Sequence, residues 1–473
     1  MSATIEHRGA ASLTFEPILV YPTVELAWAA ESDEYPKTDF HSLQFRGRID
    51  IQTFVEAFDE MIPGYRVAHC RLEERRVGLY RKLFWVPGDR PNTLIVEDCR
   101  DRVAPPVDGV AFAREYFREK TFHRIDLFRG YPVQFYLLRL ADDVTLFSMA
   151  YQHISMDAAG GYGFIRDILA RYHEKVSGEK PAWAQAPSTN TARNPIVAVK
   201  PQPTLAYLRE FIGTLVESPR RAVSLIASAE TRTVLGRNMN RAIFDGETLR
   251  GIKNHCRKHD ATLVDVLLPV IFRTIGAWDR EHGIAQDLIR AFLSVNTRSR
   301  IPALREQSMG MSGIRLLYRR PEEIPFDDLV GRLRDERVRQ LDAGVDVAMI
   351  NLLTAIFKVL GLLPVRVRAA IVRNVLAFPV TFVLSNVGIM WPEVRDGKLT
   401  GRSSFTRVGD FEVDDLHACP SLIPDVGMGI VTRTLGDRLF INYTTDRRRF
   451  HEEEADDLTS RISEAIRSVG RFA

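Results

Sequence analysis

The chain is poor in the features that assign a protein quickly. Its 473 residues include only four cysteines, Cys70, Cys99, Cys256 and Cys419. They lie far apart and form no CxxC pair, which argues against a disulfide framework or a cysteine zinc site and fits a reducing, cytoplasmic setting. Charge of either sign is not in excess: Lys+Arg 64 against Asp+Glu 61 leaves a net +3. No basic patch interleaved with aromatics is present, so nothing points to a nucleic-acid partner. No window reaches the roughly 18 uncharged apolar residues of a membrane span. The nearest approach, 352–384, is interrupted by Lys358, Arg366, Arg368 and Arg373. The first 17 residues have neither the basic start nor the apolar core of a signal peptide.

A hydrophobic fraction of 45% and a charged fraction of 26% are ordinary for a globular protein. The length exceeds what one core accommodates and implies two domains. Composition shifts between 179 and 203, where Pro181, Pro187, Pro195, Pro201 and Pro203 accompany Ser188, Thr189, Asn190 and Thr191. That stretch reads as an extended linker over 181–204, dividing a first unit, 1–180, from a second, 205–473. Both units mix strand and helix periodicities, and the fold class is α+β.

In the first unit, alternation over 40–47 predicts a strand ending at Gly47, and Asp50 caps a helix through Phe54, Ala57, Phe58 and Met61. The stretches 66–72 and 76–85 read as extended, 112–120 as a helix, and 135–140 with 144–150 as a hairpin. In the second unit, 205–216 and 220–229 read as amphipathic helices. Asp245 and Thr262 cap two more, the latter with an apolar face of Val266, Leu267, Val270, Ile271 and Ile275. Strands are expected at 289–295 and 381–384, a helix at 326–341, a hairpin over 430–434 and 438–443, and a closing helix over 450–469. The apolar, basic-punctuated stretch 352–378 reads as two core helices of the second unit. A lid or a peripheral membrane contact is its functional alternative.

The stretch Gln152-His153-Ile154-Ser155-Met156-Asp157-Ala158-Ala159-Gly160-Gly161 joins an apolar strand, 144–151, to a helical pattern over 162–172. A histidine and a carboxylate four residues on therefore stand on a strand-to-helix loop, where scaffolds present reactive groups. Histidine titrates nearest neutrality and suits general-base work. Taken locally, the pattern favours an ordinary strand-end histidine with a satisfied hydrogen bond. His69, His123, His255, His259 and His417 show no partner spacing and read as surface or core histidines.

Six stretches in order resemble the chloramphenicol-acetyltransferase-like superfamily. It includes nonribosomal condensation domains, plant BAHD acyltransferases, polyketide-associated acyltransferases and wax-ester synthases. Its central motif is HHxxxDG, or HxxxDG in the plant branch, and stands here as Gln152-His153-Ile-Ser-Met-Asp157-Ala158. Gly47-Arg-Ile-Asp50 with Phe54 and Ala57 is similar to the opening motif. Phe122-His-Arg-Ile-Asp126-Leu127 with Gly130-Tyr-Pro132 is similar to the run before the catalytic strand. Ala261-Thr262-Leu-Val-Asp265-Val-Leu-Leu resembles A-T-x-N-D-V-L-L, Val295-Asn296-Thr-Arg298 resembles V-(N/D)-x-R, and Ser385-Asn386-Val387-Gly388 resembles S-N-(V/L)-G. The resemblance covers about residues 40 to 450.

It implies two acyltransferase lobes, mixed sheets flanked by helices, set in a V with the active site in a tunnel between them. It implies an acyltransferase of natural-product or lipid-like metabolism. The donor would be a coenzyme A or carrier-protein phosphopantetheine thioester, the acceptor an alcohol or amine. His153 would be the general base, and Asp157 would pair with Arg298 to hold the loop. Ala158, Gly160, Ser385 and Asn386 would line the oxyanion and substrate site. No metal and no bound cofactor are implied, and a carrier protein would act in trans. Gln152 replaces the first motif histidine and Ala158 the glycine. A binding or recruitment module without turnover is therefore the alternative, and a hydrolase or cyclase on the same fold is a third reading.

Overall fold

The structure, a computed structural model, describes residues 16–20, 28–29, 31–33, 35–89, 92–118, 123–181, 235–284, 287–297, 311–375, 380–395, 398–403, 406–422 and 426–471. The expected linker beyond Pro181, the helices expected over 205–216 and 220–229, and Arg298 lie outside the described residues.

The first half forms strands β1 (Ile18–Leu19), β2 (Thr38–Gly47), β3 (Cys70–Val77), β4 (Tyr80–Pro87), β5 (Leu94–Asp98), β6 (Val133–Arg139) and β7 (Val144–Gln152). Its helices are α1 (Ile51–Met61), α2 (Gly109–Arg118) and α3 (Ala158–Ser177). Asp50 caps α1 as expected, its side chain accepting the Thr53 amide at 3.2 Å. Gly47 before it has φ 121°, and a Cβ there would stand 2.4 Å from the Asp410 carbonyl oxygen, so only glycine fits. Two expected extended stretches are corrected. Residues Arg66–His69 make a 3₁₀ turn before β3 begins, and 76–85 contains a hairpin turn at Gly78, φ 62°. The run Arg71 to Arg76 is polar at most positions, so the period-two alternation that marks a half-buried strand is missing there.

The second half adds strands β8 (Arg237–Phe244), β9 (Leu288–Asn296), β10 (Met311–Arg319), β11 (Val380–Ile389), β12 (Pro392–Arg395), β13 (Lys398–Ser403), β14 (Arg407–Val408), β15 (Phe411–Cys419), β16 (Val426–Leu435) and β17 (Arg438–Asp446). Its helices are α4 (Gly246–Lys258), α5 (Leu263–Glu281), α6 (Phe326–Asp342), α7 (Val345–Leu360), α8 (Val365–Val375) and α9 (Glu452–Arg471). Strand β11 runs straight through Ser385 and Asn386, with an irregularity before Gly388, where the sequence suggests the strand has opened into a loop.

Two six-stranded mixed sheets define two lobes, ordered β14-β15-β2-β7-β6-β5 and β10-β9-β11-β16-β17-β8. Strand β15 pairs antiparallel with β2, so the second half of the chain completes the first lobe's sheet. Further bonds tie the halves together. Arg237 donates to the Thr38 carbonyl at 2.9 Å, and the Lys37 ammonium to the Leu422 carbonyl at 3.0 Å.

Helix α5 carries the core of the second lobe, burying Val266, Leu267, Ile271 and Ile275 against strands of its sheet as the periodicity predicts. Its cap explains the Thr262-to-Asp265 signature. The buried Asp265 carboxylate accepts the Thr262 amide at 2.8 Å and hydroxyl at 2.7 Å, and a bidentate Arg337 at 2.6 and 2.8 Å. A buried carboxylate with that many donors is stabilised rather than orphaned. Helices α4 and α9 cross at Gly251, where a Cβ would lie 1.7 Å from the Gly470 carbonyl oxygen. Gly251→Ala is expected to destabilise the protein by about 1–3 kcal/mol, read as a lower urea midpoint at unchanged slope.

The stretch 352–378 meets the second-lobe core as expected only at its start, where Leu352 packs against it; the rest departs from that expectation. Phe357 of α7 and Val365, Ala369 and Val372 of α8 pack with Leu72, Leu83 and Trp85 of β3 and β4, and with Ile154 beside His153. The Arg81 amide donates to the Gly361 carbonyl at 2.7 Å, and the buried Arg368 donates to the Arg81 carbonyl at 2.9 Å. The two helices thus cover the loop that carries His153. No single helix among the described residues is long and apolar enough to cross a membrane.

Candidate active site

Strand β7 is buried throughout and delivers its last residue, Gln152, to a three-residue turn that opens with His153. The turn is pinned at both ends. The His153 amide donates to the Lys37 carbonyl at 2.7 Å, and the Ser155 amide and hydroxyl bond the Gln152 carbonyl at 2.8 and 2.7 Å. Asp157 then caps α3, its carboxylate accepting the Gly160 amide at 2.9 Å. The motif aspartate thus shapes the loop through the helix N-terminus, where the dipole also favours a carboxylate.

The imidazole has a partner that the sequence did not reveal. Asp39 of β2 places Oδ2 3.1 Å from His153 Nδ1. Among the described residues no hydrogen bond forms at Nδ1, so the contact is a close electrostatic one, an ion pair only when the imidazole is protonated. Asp39 Oδ1 accepts the Ser421 amide at 2.7 Å, a donor from the second half of the chain. Burial opposes ionisation of Asp39, but the charge of the adjacent His153, the Ser421 amide and His41 outweigh it and hold the pKa at about 2. Burial likewise disfavours charge on His153, and the Lys37 cation adds to that. The Asp39 carboxylate wins, and the pKa rises above the ordinary 6.5. Only 6% of the Asp39 side chain is exposed against 23% for His153, so a substrate can reach the imidazole but not its partner. With Nδ1 turned to Asp39, Nε2 is the nitrogen left to take a proton.

A second layer holds this pair. His41, next but one along β2, accepts or donates to the Tyr151 hydroxyl at 2.9 Å. Burial and the Arg433 charge keep its pKa at about 3, so it stays neutral and does not compete for Asp39. Arg433 of β16 bonds the Tyr162 hydroxyl of α3 and the Asn442 amide oxygen, and Trp391 donates to the Tyr162 carbonyl at 3.1 Å. The lobes are thereby joined directly behind the motif loop. Val387, Met390 and Trp391, just past Asn386, share an apolar cluster with Met156, Ala158 and Tyr162.

Asn386 is held by its neighbours: its side-chain oxygen accepts the Thr432 hydroxyl at 2.9 Å and the Gly388 amide at 3.1 Å. That fixes the amide flip and turns the Nδ2 donors away from Thr432. Ser385 lies in register with Val431 and Ser294 and is partly exposed. If Asn386 donates to a developing oxyanion, Thr432→Val is expected to lower kcat about tenfold through loss of one orienting hydrogen bond, with KM little changed. Steady-state kinetics check this.

No protein-family model matches the sequence, and no curated protein matches it. Solved structures do. The first condensation domain of the calcium-dependent antibiotic synthetase, in complex with a substrate analogue, superposes with a TM-score of 0.71 at 12% identity, covering 97% of this chain and 98% of that one. The EpoB NRPS cyclization-docking bidomain from Sorangium cellulosum gives 0.68 at 13% identity over 97% and 85%. A mutant starter condensation domain of rhizomide synthetase, in complex with C8-CoA and Leu-SNAC, gives 0.63 at 12% over 97% and 95%. The chain has the condensation-domain fold.

Within this condensation fold the two motif departures have local explanations. Ala158 is the first helical residue of α3 and carries no positive φ, so its position makes no conformational demand for glycine. The Gly160 amide is committed to Asp157. Gln152 is fully buried and donates to Glu31 at 2.5 Å. Glu31 also accepts the Lys37 amide at 3.0 Å and Arg124 at 3.1 Å. Gln152 therefore anchors the end of β7 rather than facing a substrate.

Reasoning from the sequence missed Asp39, Lys37 and Glu31. Lys37 is fully buried. Desolvation and the Arg237 charge bring its ammonium down to about 7, against the pull of Asp39 and Glu31. One signal was legible: Asp39 and His41 fall on the same face of β2 as Leu43 and Phe45, where alternation alone calls for apolar residues.

Proposed function

We propose that the protein is an acyltransferase. It would move an acyl group from a coenzyme A or carrier-protein phosphopantetheine thioester to an alcohol or amine, giving an ester or amide. The observation that carries this is the Asp39–His153 pair, a reachable imidazole backed by a buried carboxylate at the end of β7 in a condensation fold. The rhizomide starter domain, in complex with C8-CoA and Leu-SNAC, supports a thioester donor with a separate acceptor.

Neutral His153, its Nδ1–H toward Asp39, takes the acceptor's proton on Nε2 as the oxygen or nitrogen attacks the thioester carbonyl. The negative charge that develops on the carbonyl oxygen is met by the first-turn amide of Ala158 and by Asn386. Collapse breaks the carbon–sulfur bond, and the imidazolium returns its proton to the departing thiolate. Asp39 stabilises the transient imidazolium without itself being protonated, as its low pKa requires. Arg298, which lies outside the described residues, is proposed as a further partner of Asp157.

The test is intact-mass analysis of the wild type with a panel of acyl-coenzyme A and acyl-phosphopantetheine thioesters and mixed alcohol and amine acceptors. The expected result is acceptor-dependent release of free thiol with a product of acyl-plus-acceptor mass. Thiol release that yields only free acid would replace the proposal with a hydrolase. No release across the panel would favour a module that binds without turnover.

A further inference from the structure

Three side chains on the second lobe, in elements that contribute nothing to the His153 site, converge without satisfying one another. His255 and His259 stand one turn apart at the end of α4, their rings 4.6 Å apart. Asp327 comes from the first turn of α6. The Nε2 atoms of His255 and His259 each lie 3.4 Å from the same oxygen, Asp327 Oδ1. All three ligand atoms lie within 4.8 Å of one another. Both Nε2 atoms are buried, and among the described residues neither has a hydrogen-bond partner.

At 3.4 Å neither imidazole makes a hydrogen bond to the shared oxygen, and two buried nitrogens without partners are costly. A shared cation removes the conflict. A tetrahedral ion with bonds of about 2.0–2.1 Å separates its ligands by about 3.4 Å, the spacing of both histidine–aspartate edges. The surroundings are already fixed. Arg334 of α6 donates to the His259 carbonyl at 2.5 Å, and Arg337 grips Asp265 at the start of α5. Lys258 Nζ, 3.5 Å from Asp327 Oδ2, holds the second carboxylate oxygen and leaves Oδ1 toward the imidazoles.

We infer that His255, His259 and Asp327 form a binding site for a divalent transition metal of the zinc type, which clamps the end of α4 to the start of α6. Two imidazoles and a carboxylate match zinc's ligand preferences. Asp327, half exposed, leaves a fourth position open to water.

The experiment titrates untagged, chelator-stripped full-length protein with zinc chloride, by calorimetry and by thermal melting. Cobalt(II) serves as the spectroscopic probe. One saturable equivalent is expected in the wild type and in His153→Ala, with a raised melting temperature and a tetrahedral cobalt spectrum. His259→Ala and Asp327→Asn are each expected to weaken binding at least about tenfold and to lose the melting shift. Both residues are partly exposed, and should His259→Ala not fold, Asp327→Asn decides. No saturable equivalent in the wild type would overturn the inference. So would retention of the equivalent in Asp327→Asn, or its loss in His153→Ala, which would assign the metal to the Asp39–His153 pair.

Discussion

His153→Ala is expected to lower kcat for acyl transfer about 100- to 10,000-fold, the span of a general base, while thioester binding stays within a few-fold. The imidazole is the one group in the motif loop that combines reachability with a raised pKa and a buried counter-charge. Its removal should not loosen the loop. The turn is held by backbone bonds from His153 to Lys37 and from Ser155 to Gln152, and by the Asp157 cap, all of which alanine preserves. A variant that melts like the wild type and binds thioester but does not turn over is the expected result. Unchanged turnover would remove His153 from the chemistry. Residual rate would come from proximity and oxyanion stabilisation.

Asp39→Asn is expected to lower kcat about 100- to 1,000-fold, although the residue never meets substrate. Asparagine keeps the shape and its side-chain oxygen can still accept the Ser421 amide. Its NH₂ group then faces His153 Nδ1, which favours the tautomer protonated on Nε2 and so removes the free lone pair there. The loss is one of orientation and tautomer, and KM for the thioester should move little. A purely structural role would show instead as a lower melting temperature with kcat preserved in the folded fraction.

Much of the scaffold was legible because it is written locally. Asp50, Asp245 and Thr262 cap the helices where capping chemistry places them, and the β6–β7 and β16–β17 hairpins follow from apolar runs around short polar turns. His153 was legible as a strand-end residue and became a candidate base only through the ordered set of motifs. Asp39 was not legible as its partner. It is far away in sequence, and the contact depends on the register that sets Asp39 opposite Tyr151 across β2 and β7. The same distance effect hid β15, which crosses from the second half to pair with β2, and the docking of α7 and α8 on the first lobe. The stretch 352–378 shows apolar periodicity, which fixes that a helix buries a face but not what it buries it against.

The pH dependence of kcat/KM, measured for the wild type beside Asp39→Asn, tests the central claim most directly. His153 works as a base only when neutral, so the rate should rise with pH through the His153 pKa of the free enzyme. Because Asp39 raises that pKa, the wild-type acid limb should lie above the ordinary 6.5. Without the carboxylate charge, burial and the Lys37 cation act against protonation with only Asp157 opposing them, and the limb should move to lower pH. A limb at the same pH in both proteins would contradict the account, because the group that titrates would then not be the histidine that Asp39 holds.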